Sequence, residues 1–301
     1  MTTASAVTHP TVEVLDASDW RRRADAHARR ADELTAGRRR RAARGETHPV
    51  DDFLFTYYSY KPSVLRRWHP GKAVVLEDAA ERATWRWYTL VEGVGRPDVT
   101  VDLNAYLLDR SDLVAAVGRL LRATSSRPAS FGCFGLHEWA MVYREAVPRH
   151  DVPLRLGPAE TDAVVEASDL RCTHFDAYRF FTDDAVPRNR EPLSRELQVS
   201  REQPGCLHAG MDLYKWAVKL GPIVPGEVLL DAFELARDIR TIDMRASPYD
   251  LRGWGYEPVA IETAEGKAEY VRRQREFTAR AGHLRERLLS ALPHGESVRV
   301  N

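Results

Sequence analysis

Three segments of the chain put a cysteine, a histidine and a carboxylate within a few residues of one another. They read Cys133-Phe134-Gly135-Leu136-His137-Glu138, Cys172-Thr173-His174-Phe175-Asp176 and Cys206-Leu207-His208-Ala209-Gly210-Met211-Asp212. Histidine makes up only 10 of 301 residues, so three such neighbourhoods are more than random placement favours. An imidazole beside a carboxylate serves as a general base with its orienting partner, or as a pair of metal ligands. His174 and Asp176, two apart, come together on an extended or turn segment. His208 and Asp212, four apart, share one face of a helix. Gly205 places Cys206 near the N-terminus of that helix, where the dipole favours a thiolate. The competing use of these residues is structural, as buried hydrogen-bonded pairs that pin helices together. Their threefold recurrence favours function. The expectation is one pocket on which His137, His174 and His208 converge, with Glu138, Asp176 and Asp212 close by. The catalytic candidates are Asp176, Asp212, Glu138, His174 and His208. His137, His174, His208 and Asp212 are the candidate ligands if a divalent metal is bound. A structural zinc site is disfavoured, because no pair of cysteines has the C-x-x-C spacing.

Aromatic residues run beside these segments. Tyr57, Tyr58, Trp139, Tyr178, Arg179, Tyr214, Lys215 and Trp216, together with His137, are the candidate substrate contacts. Aromatics at helical spacing usually belong to the core. Their interleaving with charged residues also suits an aromatic-walled pocket for a small molecule or an extruded base. A further set, Glu227, Asp231, Glu234 and Asp238, falls on one helical face. Such a face is usually solvated; the alternative is a metal-binding stripe opposite His208 and Asp212, although the Glu-x-x-His pairs of carboxylate-bridged bundles are missing.

The elements that must position these groups read mainly as helices. Leucines and valines at helical spacing predict a helix over 102–126, and others are predicted over 136–146, 161–167, 175–181, 207–220, 227–243 and 264–289. Pro62 suits the first turn of a short helix that Pro70-Gly71 ends. Short strands or extended segments fit 73–76, 84–90 and 259–262, and Gly93-Val94-Gly95 reads as a turn. Between residues 20 and 45 stand ten arginines against Asp25, Asp32 and Glu33, so this stretch carries +7 and the rest of the chain −7. With few large apolar residues to bury, residues 1–45 are expected to form a loosely packed basic arm. It would be a solvated helix or a contact for phosphate. Residues 46–301 are expected to form a single compact, mainly α domain with a few short strands.

The bulk composition sets limits. Apolar residues are 44% of the chain and its net charge is zero, so no global field favours nucleic acid or membrane. Three cysteines argue for reduced thiols rather than a disulfide framework. No signal-peptide pattern and no membrane-length apolar run is seen, which predicts a cytoplasmic protein without a membrane partner.

Several longer strings carry a resemblance. They are Asp52-Phe53-Leu54-Phe55-Thr56-Tyr57-Tyr58, Phe131-Gly132-Cys133-Phe134-Gly135-Leu136-His137-Glu138-Trp139, Arg171-Cys172-Thr173-His174-Phe175-Asp176, Gln203-Pro204-Gly205-Cys206-Leu207-His208 and Asp243-Met244-Arg245-Ala246-Ser247-Pro248-Tyr249-Asp250-Leu251. In these the chain resembles a group of actinobacterial proteins commonly labelled 3-methyladenine DNA glycosylase, over nearly everything after residue 48. The resemblance implies an N-glycosylase type of hydrolase that excises alkylated bases in DNA repair and requires no cofactor. Duplex DNA would then be the partner, held through the arginine-rich arm. It assigns no catalytic residue; Asp176, Asp212 and Glu138 are the carboxylates available. The string Leu90-Val91-Glu92-Gly93-Val94-Gly95 mimics the glycine-rich hairpin of helix-hairpin-helix glycosylases, but Pro97 would break the second helix. Two other readings stand beside it. One is a small-molecule enzyme, metal-dependent or not, that uses the same His, Asp and Glu residues. The other is a non-catalytic helical binding module.

Overall fold

The computed structural model describes residues 12–91, 97–145 and 152–293. Its centre is a helical hairpin, α9 (Leu207–Leu220) and α10 (Gly226–Arg245), joined by a tight turn at Gly221 and Pro222. Gly210 on α9 lets Ile239 of α10 approach closely, since a β-carbon at Gly210 would stand 3.1 Å from the Ile239 side chain. The long α11 (Ala264–Ala291) and α4 (Leu103–Ser125) close over this pair. Thr263 caps α11 through Gly266 N–H, and Asp102 caps α4 through Ala105 N–H. A single large apolar cluster runs through all four helices, with Met211, Leu213, Phe233, Leu235 and Leu288 at its heart. The fold is therefore mainly α, as its periodicity predicts.

Shorter helices carry the motif segments: α2 (Phe53–Tyr57), α3 (Pro62–Arg66), α5 (Leu136–Ala140), α6 (Pro158–Glu166), α7 (Phe175–Tyr178) and α8 (Gln198–Arg201). The helix expected over 136–146 ends at Ala140, where the chain turns; residue 146 lies outside the described residues. No strand forms at 259–262, where a turn leads into α11. One small sheet has the order β1-β2-β4-β3, from β1 (Glu13–Leu15), β2 (Val74–Leu76), β3 (Tyr88–Val91) and β4 (Asp98–Val101). β3 and β4 are antiparallel, so the stretch that mimics a helix-hairpin-helix motif is flanked by strands rather than helices. The turn expected at 93–95 lies outside the described residues. No described helix is long and apolar enough to cross a membrane.

The basic stretch is the main correction. Residues 1–11 of the expected arm lie outside the described residues, but the rest is not loosely packed. β1 pairs in parallel with β2, and the connection between them includes α1 (Ala17–Ala43), which lies along α3 and α10. Trp20, His27, Ala31 and Thr35 are buried; the Trp20 indole donates to Glu77 O at 2.8 Å, and His27 Nε2 lies 2.7 Å from Leu65 O. Gly226 permits the close fit, because a β-carbon there would meet Trp68 at 2.7 Å and His27 at 2.9 Å. Seven of the ten arginines in the stretch hold a carboxylate. Arg23 reaches Glu227, and Arg30 reaches Asp231 and Glu234. Acidic face and basic helix therefore neutralise each other. This also corrects the metal stripe: Glu227, Asp231 and Glu234 face the arginines of α1, and Asp238 pairs with Arg280, so none of them looks towards His208. Burying a few large residues and pairing the arginines supplies what a helix poor in apolar residues lacks.

Asp52 anchors the far end of α1. It is buried and accepts from Arg38, from Arg41 and from the His48 N–H. Burial opposes its ionisation, but Arg41 and Arg38 outweigh burial and hold the carboxyl below its ordinary value. Its stabilisation is then present above the unfolded value of about 3.9 and is lost as pH falls through the lower folded value. Asp52→Asn should lower stability at neutral pH by about 3 kcal/mol, since it strands two paired guanidinium groups. Urea titrations of both proteins should show that gap narrowing below pH ~4; a gap that stays constant from neutral pH into acid would contradict the pairing.

Candidate functional site

The three Cys/His/carboxylate segments meet at the N-terminal half of α9. His137 and Glu138 come from α5, His174 from the residue before α7, Glu202 from the end of α8, His208 and Asp212 from α9, and Arg240 and Asp243 from α10. The rings of His137 and His208 are 4.4 Å apart between centroids, and those of His174 and His208 are 5.4 Å apart. His137, His208 and Asp243 form one triad and His174, Glu202 and Asp212 a second; within each, the ligand-type atoms all lie within 4.8 Å of one another. Because His208 and Asp212 are a helical turn apart on α9, each triad takes one of them.

Both triads are largely out of water, with only His208 half-buried. His137 Nε2 stands 3.2 Å from Asp243 Oδ1 and 3.3 Å from Oδ2, with Glu138 Oε1 at 3.9 Å. Arg240 donates to Glu138 Oε1 at 2.6 Å and to Asp243 Oδ2 at 3.4 Å, and its guanidinium lies 3.8 Å from the Phe53 ring centroid. In the second triad, His174 Nε2 is 3.3 Å from Asp212 Oδ2 and 3.5 Å from Glu202 Oε1. Tyr58 donates to Asp212 Oδ1 at 2.7 Å, Lys215 donates to Asp212 Oδ2, and Lys215 also lies 3.4 Å from Asp176. Arg195 closes the group on Asp176 at 2.6 Å. Several buried polar atoms make no well-aligned hydrogen bond: Asp243 Oδ1 and both ring nitrogens of His174.

Burial and charge act against each other here. Burial alone depresses His137, but the Asp243 carboxylate overrides it and holds the imidazole well above its ordinary value. His208 goes the other way, pushed well below by burial and then by His137. Burial also opposes charge on His174, which Glu202 and Asp212 raise. Asp212 and Asp243 fall below the ordinary carboxylate range despite burial, through Lys215 and His137 respectively. Glu202 is raised by its burial.

A cavity of about 160 Å³ opens beside the first triad. Phe53, Tyr57 and Phe180 form aromatic walls, and Glu138, Asp176, His208 and Arg240 supply its polar surface. His208 thus belongs both to a triad and to the cavity wall. Behind the histidines, Cys133, Cys172 and Cys206 line a closed niche with Tyr270 and Gln274. The thiolate expected at Cys206 is corrected: it does cap α9, but burial outweighs the helix dipole and pushes the thiol up. Cys172 is raised in the same way.

The aromatic candidates divide. Tyr57 lines the cavity and Tyr58 orients Asp212. Trp139 is buried with its indole on Ala246 O, Tyr178 packs on Phe181, and Tyr214 packs against Phe233, so these three belong to the core. Arg179 pairs with Asp176 at 3.7 Å, and Trp216 lies beneath Lys215 and Lys219. Asp243, Arg240 and Glu202 escape the sequence reading. Arg240 and Asp243 did leave a signal, as charges within the apolar stripe of α10 that includes Phe233, Ala236 and Ile239. Glu202 left none.

Arg240 is the only guanidinium paired with Glu138 and Asp243 among the described residues. Arg240→Met should therefore lower the unfolding free energy by about 3–5 kcal/mol, because Glu138 stays buried without its guanidinium while Asp243 keeps only His137. Asp238→Asn, at a solvent-screened pair on the opposite face, should cost under about 0.5 kcal/mol. Equal effects of the two substitutions in chemical denaturation would show that the first triad is not held by charge balance. Comparison of the chain with protein-family models, with curated proteins and with solved structures finds no match.

Proposed function

We propose that this chain is a metal-dependent enzyme that works on a compact, flat molecule in the aromatic cavity, with His137, His208 and Asp243 as the metal ligands. One observation carries this reading: half-buried His208 completes a two-histidine, one-carboxylate triad with buried His137 and Asp243, and at the same time lines the cavity. Three such ligands leave coordination positions open, the arrangement of mononuclear first-row metal enzymes. The donor set fits an ion. The ligand atoms of His137, His208 and Asp243 all lie within 4.8 Å of one another, and an ion bound there would displace the proton that Asp243 favours on His137. The buried Asp243 Oδ1 accepts no well-aligned hydrogen bond and faces the His137 ring. When bound, such an ion polarises a substrate oxygen or activates water. The protein's own part is to exclude water with Phe53, Tyr57 and Phe180, and to orient polar substrate atoms against Glu138 and Arg240. Three free thiols suit the reducing cytoplasm, where we place this activity.

A second reading is release of an alkylated base from DNA, and a different observation favours it. Two carboxylates, Glu138 and Asp176, look into an aromatic cavity with room for about one base. Duplex contact would then fall to the basic side chains left after the arginines of α1 have met their carboxylates.

Elemental analysis of protein purified without chelator tests the first reading. Close to one first-row transition metal per chain is expected, with His208→Ala and Asp243→Asn each lowering occupancy about tenfold or more while the circular dichroism stays helical. Protein that takes up neither zinc nor ferrous iron on reconstitution would end the metal reading. Base release from alkylated duplex that persists in chelator would establish the second.

A further inference from the structure

At the opposite end of α9 from His208, a separate cleft of about 280 Å³ lies between α3, the start of β3 and the α9–α10 turn. Arg67, His69, Trp85, Arg86 and Trp87 form one side, and apolar residues including Leu229 form the other. Ala217, on its wall, is nine residues beyond His208, which at 1.5 Å per residue is roughly 13 Å along the helix. The two cavities share no lining residue.

The character of this cleft is cationic and aromatic. Two arginines and two tryptophans line it, and none of its lining residues is a carboxylate. Arg86 is held in place: its guanidinium lies 4.3 Å from the Trp87 ring centroid and donates to Asp109 at 2.9 Å. The Trp87 indole donates to the same Asp109 oxygen at 2.8 Å. Arg67 lies 5.1 Å from the Trp85 ring centroid and has no carboxylate partner among the described residues, so its charge is free at the rim. His69 sits between them with Nδ1 2.8 Å from the Tyr88 hydroxyl. Burial, and then Arg67 and Arg82, push His69 down to about 3, so it stays a neutral hydrogen-bonding group.

The backbone is strained at the same place, as it is at a few other positions such as Phe134. Trp87 has φ of 64°, a left-handed conformation that a bulky residue adopts only under strain. Its carbonyl accepts from Asp102 N–H at 2.8 Å, and this bond, with the indole bond to Asp109, holds it there. Strain of this kind, of order 1–3 kcal/mol, persists where surrounding contacts enforce it and gathers at ligand sites. Trp87 also packs edge-on against Tyr106 of α4, with ring centroids 5.2 Å apart, so its indole is a fixed part of the cleft wall.

We propose that this cleft binds a planar aromatic anion, with the ring against Trp85 and Trp87 and its carboxylate or phosphate on Arg67. An aromatic face supports a flat ring by stacking, and an unpaired guanidinium takes an anionic group through charge-assisted hydrogen bonds. The site is independent of the metal reading above, since it shares none of its ligands.

Calorimetric titration of the full chain tests this with two anions, adenosine monophosphate and naphthoate, and their neutral counterparts, adenosine and naphthalenemethanol. The two anions separate a phosphate from a carboxylate source. At least one should bind saturably, its neutral counterpart about tenfold or more weakly, as expected for one charged hydrogen bond lost. Arg67→Ala, at an exposed position, should erase that preference, whereas His208→Ala should leave it intact. The proposal is overturned if neither anion binds, if the preference survives Arg67→Ala, or if His208→Ala removes it.

Discussion

The structure around the triads depends on one constraint: carboxylates placed out of water must find positive charge or change their protonation. Asp212, Asp243, Glu138 and Glu202 are all buried within a few ångströms of the α9–α10 hairpin. Arg240, Lys215, His137 and His174 are the charges that answer them. This fixes which faces of α5, α9 and α10 turn inward. It also explains why the histidines diverge: carboxylates overcome burial at His137 and His174, whereas at His208 burial and then the charge of His137 prevail.

Charge balance also governs the outside of the molecule. The arginine-rich helix and the acidic face of α10 would each repel itself in isolation. Docked, they form the Arg23–Glu227 and Arg30–Asp231–Glu234 pairs beside the small buried patch of Trp20, His27 and Ala31. The pairs are partly exposed, and each adds little stability alone. Their number orients α1 along α10, and the buried tryptophan and Asp52 hold it there. A zero net charge thus conceals two opposed surfaces that cancel across an intramolecular interface.

Recesses of two kinds coexist on one helical pair. Near the N-terminus of α9 the groups are ligating and general-acid types, against an aromatic wall. Near its C-terminus they are cationic and aromatic, with no acid on the wall. Such a division suits two ligands of different chemistry, one reacting and one recognised.

What the sequence by itself determined is the local structure and the cast of residues. Apolar spacing marked α4, α9, α10 and α11 nearly to their ends, because helical periodicity is written in adjacent turns. The Cys/His/carboxylate recurrence picked out His137, His174 and His208, since their chemistry sets them apart from their surroundings. Tertiary structure decided the partners. Asp243 joins His137 across 106 residues, Glu202 joins His174, and Arg240 joins Glu138, pairings that no local pattern encodes. It also decided that Trp139, Tyr178 and Tyr214 are core, that Cys206 is no thiolate, and that the arginine stretch is a docked helix. Each of these depends on burial and on charges brought from distant segments. Periodicity is a property of neighbours along the chain, whereas desolvation and ion pairing are set by neighbours in space.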